Sequence, residues 1–93
     1  MACAMRLPLG QTVAARGALE AFTRTGTSPL PFLVRHQSGD WGDVDEEDKR
    51  ANDLDLIHGG RLLSAHHLPD GTKLWVITEA DRSLTTVLLP SEY

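Results

Sequence analysis

Three apolar runs separated by two tight turns constrain this chain more than anything else in it: "RLLSAHHL", "KLWVITEA" and "LTTVLLP". Pro69-Asp70-Gly71-Thr72 is a strong turn signal, because Pro sets the φ of a turn and Gly accepts a left-handed one. "DRS" supplies the second turn. The runs are rich in β-branched and aromatic residues, so they read as strands. Two short turns in succession leave little choice but an antiparallel three-stranded meander. Alternation then puts Leu74, Val76 and Thr78 on one face and Trp75, Ile77 and Glu79 on the other. His66 and His67 are adjacent on a strand and point to opposite faces, so they cannot readily chelate one ion together.

The N-terminal half follows a helical grammar. Gln11–Ala14 is a short extended piece, followed by a helix from Gly17 to about Thr25 that would bury Leu19 and Phe22 and stop at Gly26. Ser28 before Pro29 marks the start of a second helix, to about His36, with Phe32 and Leu33 inward. "QSGDWGD" is a turn. A third helix is expected from a cap at Asp43, with Glu46 completing an acidic capping box and Asp45, Glu46 and Glu47 in the first turn. Ala51, Leu54 and His58 continue one face from Glu47, with Ile57 beside it, and Gly59-Gly60 ends the helix. Helices followed by a meander predict an α+β fold. The chain is one domain over residues 1–93, with a loose N-terminus at 1–9, a helical part at 10–60 and a sheet at 61–93.

The charge distribution is lopsided. Residues 40–55 carry eight Asp or Glu against two Lys or Arg, while the rest of the chain has seven basic and five acidic residues. Direct nucleic-acid binding is disfavoured, since phosphate contacts need a basic stripe and no basic cluster exists. The single cysteine, Cys3, has no internal disulfide partner, which fits a reducing, cytoplasmic setting. The start "MACAMRLPLG" is too short for a secretory core, and nothing approaches a membrane span.

The stretches "RHQSGDWGD" and "TEADRSLTTVLLP", with "GQTVAARGALEAF" and "GGRLLSAHHLPDGTKLWVI" around them, resemble a family of short, functionally uncharacterised bacterial proteins. These occur on chromosomes, plasmids and phages and are sometimes labelled plasmid-related. The resemblance covers nearly the whole chain from about Leu9, and departs from the family pattern at Ala15-Arg16-Gly17, where a proline precedes the glycine. It implies a mobile-element habitat and carries no catalytic residues.

Catalytic chemistry finds weak support. Pro69-Asp70 followed by Glu79 and Asp81 echoes a metal-nuclease pattern, but Asp81 stands where that pattern needs a lysine. A turn Asp bonding its own backbone is the simpler account. His36 with Asp40 and Asp43 is a looser metal possibility, and with Glu79 it forms the alternative reading of a metal-dependent hydrolase or nuclease. No cofactor is expected, and no catalytic or metal residue is assigned. The leading expectation is a non-enzymatic binding protein that presents Asp40, Asp43, Asp45, Glu46, Glu47 and Asp48 to a protein partner with a basic surface. Trp41 is its apolar contact, or else an anchor pinning the loop to the core. Given the mobile-element resemblance, an inhibitor of host defence, anti-CRISPR or anti-restriction, is the class expected. Arg35 and Arg82 are candidate counter-ions to the acidic loop. A third expectation is a housekeeping or antitoxin-like oligomer, a homodimer in which the edge of "LTTVLLP" pairs with a second copy.

Overall fold

The computed structural model describes residues 7–93 and has an α+β architecture. The expectations placed on residues 1–6, Cys3 included, lie outside the described residues. The elements are β1 (Gln11–Ala14), α1 (Arg16–Thr25), α2 (Leu30–Gln37), α3 (Glu46–His58), β2 (Leu62–His67), β3 (Lys73–Thr78) and β4 (Leu84–Leu88), closed by a 3-10 turn at Pro90–Glu92. β2, β3 and β4 form the expected meander, with Ser64 opposite Val76 and Val76 opposite Val87. The sheet has a fourth strand, however. β1 pairs parallel to β4, giving the order β1-β4-β3-β2. The strands therefore begin before the helices, and the sheet is mixed rather than a pure meander. Gln11 donates its N–H to the Ser83 carbonyl at 3.0 Å and Ala15 to Val87 at 2.9 Å, which anchors both ends of β1.

The residues from Leu7 to Leu9 are not loose. Leu7 is buried beside Trp41 and Leu62, and its N–H donates to the Gln37 carbonyl at 3.1 Å. The main core lies between the sheet and the first two helices: Ala18, Ala21 and Phe22 from α1, Phe32 from α2, Leu74 and Val76 from β3, Val87 from β4, and Leu68. Phe22 and Phe32 meet with ring centroids 6.1 Å apart. Leu19, expected inside, is exposed. Ala18, Ala21 and Phe22 are spaced three and four apart and take the buried stripe, which turns Leu19 about 100° away from it.

α1 has no cap of its own, since Ala15 stands at its N-cap. Glu92 fills the role from the far end of the chain, accepting the Gly17 N–H at 2.6 Å and the Ala18 N–H at 3.2 Å. A Cβ on Gly17 would meet the Glu92 carboxyl at 2.7 Å, so the glycine makes room for this cap. These backbone donors, with that of Leu89, hold the Glu92 carboxyl below the usual carboxylate range. α2 follows the expected signal: Ser28 accepts the Leu30 N–H at 3.1 Å.

α3 departs furthest from expectation. Its one buried residue is Asn52, while Leu54 is 58% and Ile57 76% exposed, and Ala51 and His58 also face water. Leu56 alone packs on the cluster of Leu7, Trp41 and Leu62, and polar contacts supply the rest of the docking. The Asn52 amide accepts the Leu63 N–H at 3.1 Å and donates to the Leu63 carbonyl at 2.7 Å, imitating a further strand along β2. Arg82, whose φ of +61° bends the β3–β4 turn, donates to the carbonyls of Gly60 at 2.6 Å and Asp55 at 3.0 Å, closing the C-terminal end of α3. Replacing Asn52 with alanine strands both backbone groups of Leu63 and should cost about 2–3 kcal/mol. Urea unfolding checks this, and a loss under about 0.5 kcal/mol would mean that other contacts hold α3.

Candidate functional site

The loop between α2 and α3 carries most of the residues singled out from the sequence. Gly39, with φ of +84°, turns the chain out of α2, and the Asp40 N–H then donates to the Arg35 carbonyl at 2.9 Å. The Asp40 carboxylate accepts from Arg35 Nε at 2.7 Å with one oxygen and from the Gly42 N–H at 3.1 Å with the other. The Arg35 hydrogen bond holds the Asp40 carboxyl below its usual range and raises the guanidinium in turn. Arg35 is therefore a counter-ion to the loop, as expected. Arg82 is not, because its donors go to backbone carbonyls.

Gly42 lies against β2 as an isolated parallel bridge to Ala65. Ala65 donates to the Trp41 carbonyl at 3.1 Å, and the Asp43 N–H donates to the Ala65 carbonyl at 2.7 Å. A Cβ at Gly42 would collide with the Ala65 carbonyl and the His66 ring, and its φ is +71°, so this contact needs glycine. The bridge explains why Asp43 does not cap α3. Its backbone belongs to the β2 contact, and its carboxylate meets His67 Nδ1 at 2.7 Å. That hydrogen bond lowers the Asp43 pKa. Asp45 caps the helix instead, accepting the Asp48 N–H at 2.8 Å.

Trp41 is 4% exposed. It packs on Leu7 and Leu62, meets the His36 ring edge-on at 5.5 Å, and donates Nε1 to Asp53 at 2.9 Å. It is the loop's anchor, and its place among the partner-contact residues is corrected: burial removes it from a partner's reach. Asp53, on α3, is the acceptor for that indole.

The acidic residues thus divide. Asp40 is paired with Arg35 on α2, and Asp43 with His67 on β2. Asp45, Glu46, Glu47 and Asp48 stand exposed on the first turn of α3, and their one side-chain ion pair among the described residues is Glu46 to Lys49, at 3.5 Å. Asp45 is engaged as the cap, so Glu47 and Asp48 are the least neutralised. Glu47 lies two turns before the exposed Leu54 on the same helix face, with Arg50 and Ile57 flanking it.

Behind the loop runs a chain of buried polar groups that sequence reading missed. His36 is fully buried, with Nδ1 2.7 Å from Ser64 Oγ and Nε2 2.8 Å from Thr78 Oγ1. Thr78 lies 2.8 Å from Thr85 Oγ1, and Thr85 donates to the Leu9 carbonyl at 2.7 Å. Ser64 lies 3.0 Å from His66 Nε2. The carbonyl can only accept, so it sets the direction of the whole chain. Thr85 gives its proton to Leu9 and accepts from Thr78. Thr78 accepts from His36 Nε2–H, His36 Nδ1 accepts from Ser64, and Ser64 accepts from His66 Nε2–H. Both imidazoles are neutral with the proton on Nε2. His66 Nδ1 is left a buried acceptor with no partner among the described residues, which costs less than a stranded N–H would. Burial pushes His36 down to about 4 and lowers His66 as well. The signal was present in the sequence: Thr78 and Thr85 occupy inward positions of otherwise apolar strands.

This geometry disperses the metal-hydrolase set. His36 spends both nitrogens in the core, Asp40 is held by Arg35, Asp43 by His67, and no three His, Cys, Asp or Glu among the described residues are grouped to hold a metal ion. Asp70 accepts the Thr72 N–H at 3.0 Å and meets Arg24 at 3.3 Å, while Asp81 accepts from the Ser83 N–H and hydroxyl. Both are turn-forming aspartates. No helix among the described residues is long and apolar enough to cross a membrane. Comparison with family models, curated proteins and solved structures finds no match. The resemblance of "RHQSGDWGD" and "TEADRSLTTVLLP" to the plasmid and phage family rests on those residues alone.

Proposed function

We propose that the chain is a non-enzymatic protein-binding protein that receives a basic partner on the solvent face of α3. One observation carries this reading: Glu46, Glu47 and Asp48 project from the first turn of a helix that also leaves Leu54 and Ile57, at 58% and 76% exposed, in water. Acidic side chains steer a basic surface into contact, and desolvated aliphatic side chains hold it there. Leu54 and Ile57 take the apolar role that the sequence assigned to Trp41. The resemblance to mobile-element proteins narrows the partner to a nucleic-acid-handling protein of host defence, of the CRISPR or restriction type, with the acidic helix occupying its basic nucleic-acid site.

The test is an affinity pull-down from a host that carries both kinds of system. The baits are the wild type, an E46Q/E47Q/D48N variant and an L54S/I57S variant; Asp45 is kept because it caps the helix. Each variant should recover at least about tenfold less partner, and the wild-type complex should weaken as salt is raised. Equal recovery by all three baits would remove the α3 face from consideration.

A further inference from the structure

The sheet order makes β1 and β2 the two edges. An edge strand presents unpaired N–H and C=O groups, and folded proteins normally cover them or make them hostile to pairing. The β2 edge is covered. Asn52 takes the N–H and carbonyl of Leu63, and the loop at Trp41–Asp43 takes those of Ala65. β4, the strand expected to dimerise, has no free edge, because β1 and β3 flank it.

β1 is the opposite case. In its parallel register with β4, Gln11, Val13 and Ala15 turn their backbone groups toward β4, so those of Thr12 and Ala14 point outward. The outward groups have no hydrogen-bond partner among the described residues. No charge, proline or bulge protects the strand from Gly10 to Ala15. Beside this edge runs a groove of about 150 Å³ lined by Thr12, Val13, Ala14, Pro29, Leu33 and Val87. On the same helix as Leu33, Leu30 and Val34 are 65% and 55% exposed.

We propose that the β1 edge is a homodimer interface in which the β1 strands of two copies pair antiparallel across a twofold axis at Val13. The spacing is self-complementary. Thr12 of one copy pairs with Ala14 of the other, and the reciprocal pair forms by symmetry. Four backbone hydrogen bonds result, with the two Val13 side chains opposite each other on one face. A second copy suits this edge for an electrostatic reason also. Each chain carries a net charge of −4, concentrated at residues 40–55, and two such chains approach most easily where neither is charged. The twofold brings the α2 helices together on the groove side, where Leu30, Leu33 and Val34 supply the apolar area that four hydrogen bonds lack. This interface is independent of the α3 face, so either can fail without the other.

The experiment is sedimentation equilibrium on the full chain, with amide exchange as a second readout. The wild type should sediment at twice its 10.2 kDa mass at high concentration. Val13→Lys sets two like charges opposite each other, and Thr12→Pro removes an outward N–H without touching the ladder to β4. Both should weaken self-association by at least about tenfold. In the wild type alone, the Thr12 and Ala14 amides should gain protection as concentration rises, while the Gln11 amide, already bonded to Ser83, stays protected throughout. That readout stands even if a variant folds poorly. A wild type that stays monomeric at millimolar concentration, or one that dimerises with no concentration-dependent protection at Thr12 and Ala14, overturns the proposal.

Discussion

Replacing His36 with phenylalanine will lower stability by about 3–5 kcal/mol, a large share of what a domain of 93 residues possesses. An aromatic ring is kept for the edge contact with Trp41, but it is somewhat larger than imidazole, so a modest overpacking cost adds to the lost hydrogen bonds. Ser64 loses the acceptor for its proton, and Thr78 loses the donor 2.8 Å away. Both hydroxyls are fully buried, so neither recovers its partner from water. The disturbance also runs along the chain. The Leu9 carbonyl still orders Thr85 and Thr78, but with His36 gone nothing orders the proton between Ser64 and His66. Urea unfolding, with the m-value as a check on two-state behaviour, measures the loss. A change under about 1 kcal/mol would show that His36 is held by packing and that its bonds contribute little.

Stability should also fall as the solution is acidified from about pH 6.5 to about 4, and His36 is the main reason. Unfolded, it takes up a proton near 6.5; folded, burial holds that uptake down to about 4. Between those values the unfolded chain binds the extra proton, so each step down in pH favours unfolding. The contribution is complete above 6.5 and is lost going down, by about 3 kcal/mol in all. The groups facing His36 act in the same direction: His66 and Arg82 both oppose a charge on it. His66, itself lowered by burial, adds to the same slope. Asp40 and Asp43, held below their usual values by Arg35 and His67, add a further loss at more acidic pH. Urea midpoints measured at half-unit steps check the curve. The His36→Phe variant should flatten most of the slope between pH 6.5 and 4. A wild-type profile that is level across that range would mean that the imidazole accepts a proton in the core without penalty.

The two expectations have a common origin in how little apolar material α3 and the loop bring to the fold. Phe22, Phe32 and the aliphatic residues of β3 and β4 build one core on the helix side. The other cluster, around Leu7, Trp41 and Leu62, is small, and polar groups complete it: His36 against Trp41, Asp53 on the indole, Asn52 on Leu63. Polar contacts of this kind are directional, so they position the loop closely. They are also vulnerable to loss of one partner or one proton.

The amino-acid order alone determined the local elements, because their causes are local. The Pro69-Asp70-Gly71-Thr72 turn and the turn at Asp81-Arg82-Ser83 set β2, β3 and β4, and alternation placed Leu74, Val76 and Thr78 on one face, though not which face is buried. Ser28 and Gly26 marked helix ends through their own backbone chemistry. What only the tertiary structure decided were the pairings between distant residues. Gln11–Ala14 reads as an extended piece, but nothing within it states that its partner is β4, more than seventy residues away. The expected apolar face of α3 was overruled because Asn52 found Leu63 and Arg82 found the last carbonyls of the helix, leaving Leu54 and Ile57 outside. Asp43 looked like a cap until Ala65 and His67 claimed its backbone and carboxylate. A side chain's local preference is worth about 1 kcal/mol or less, whereas a buried hydrogen-bond partner left unmade costs more than that. Where the two conflicted in this chain, the long-range partner prevailed.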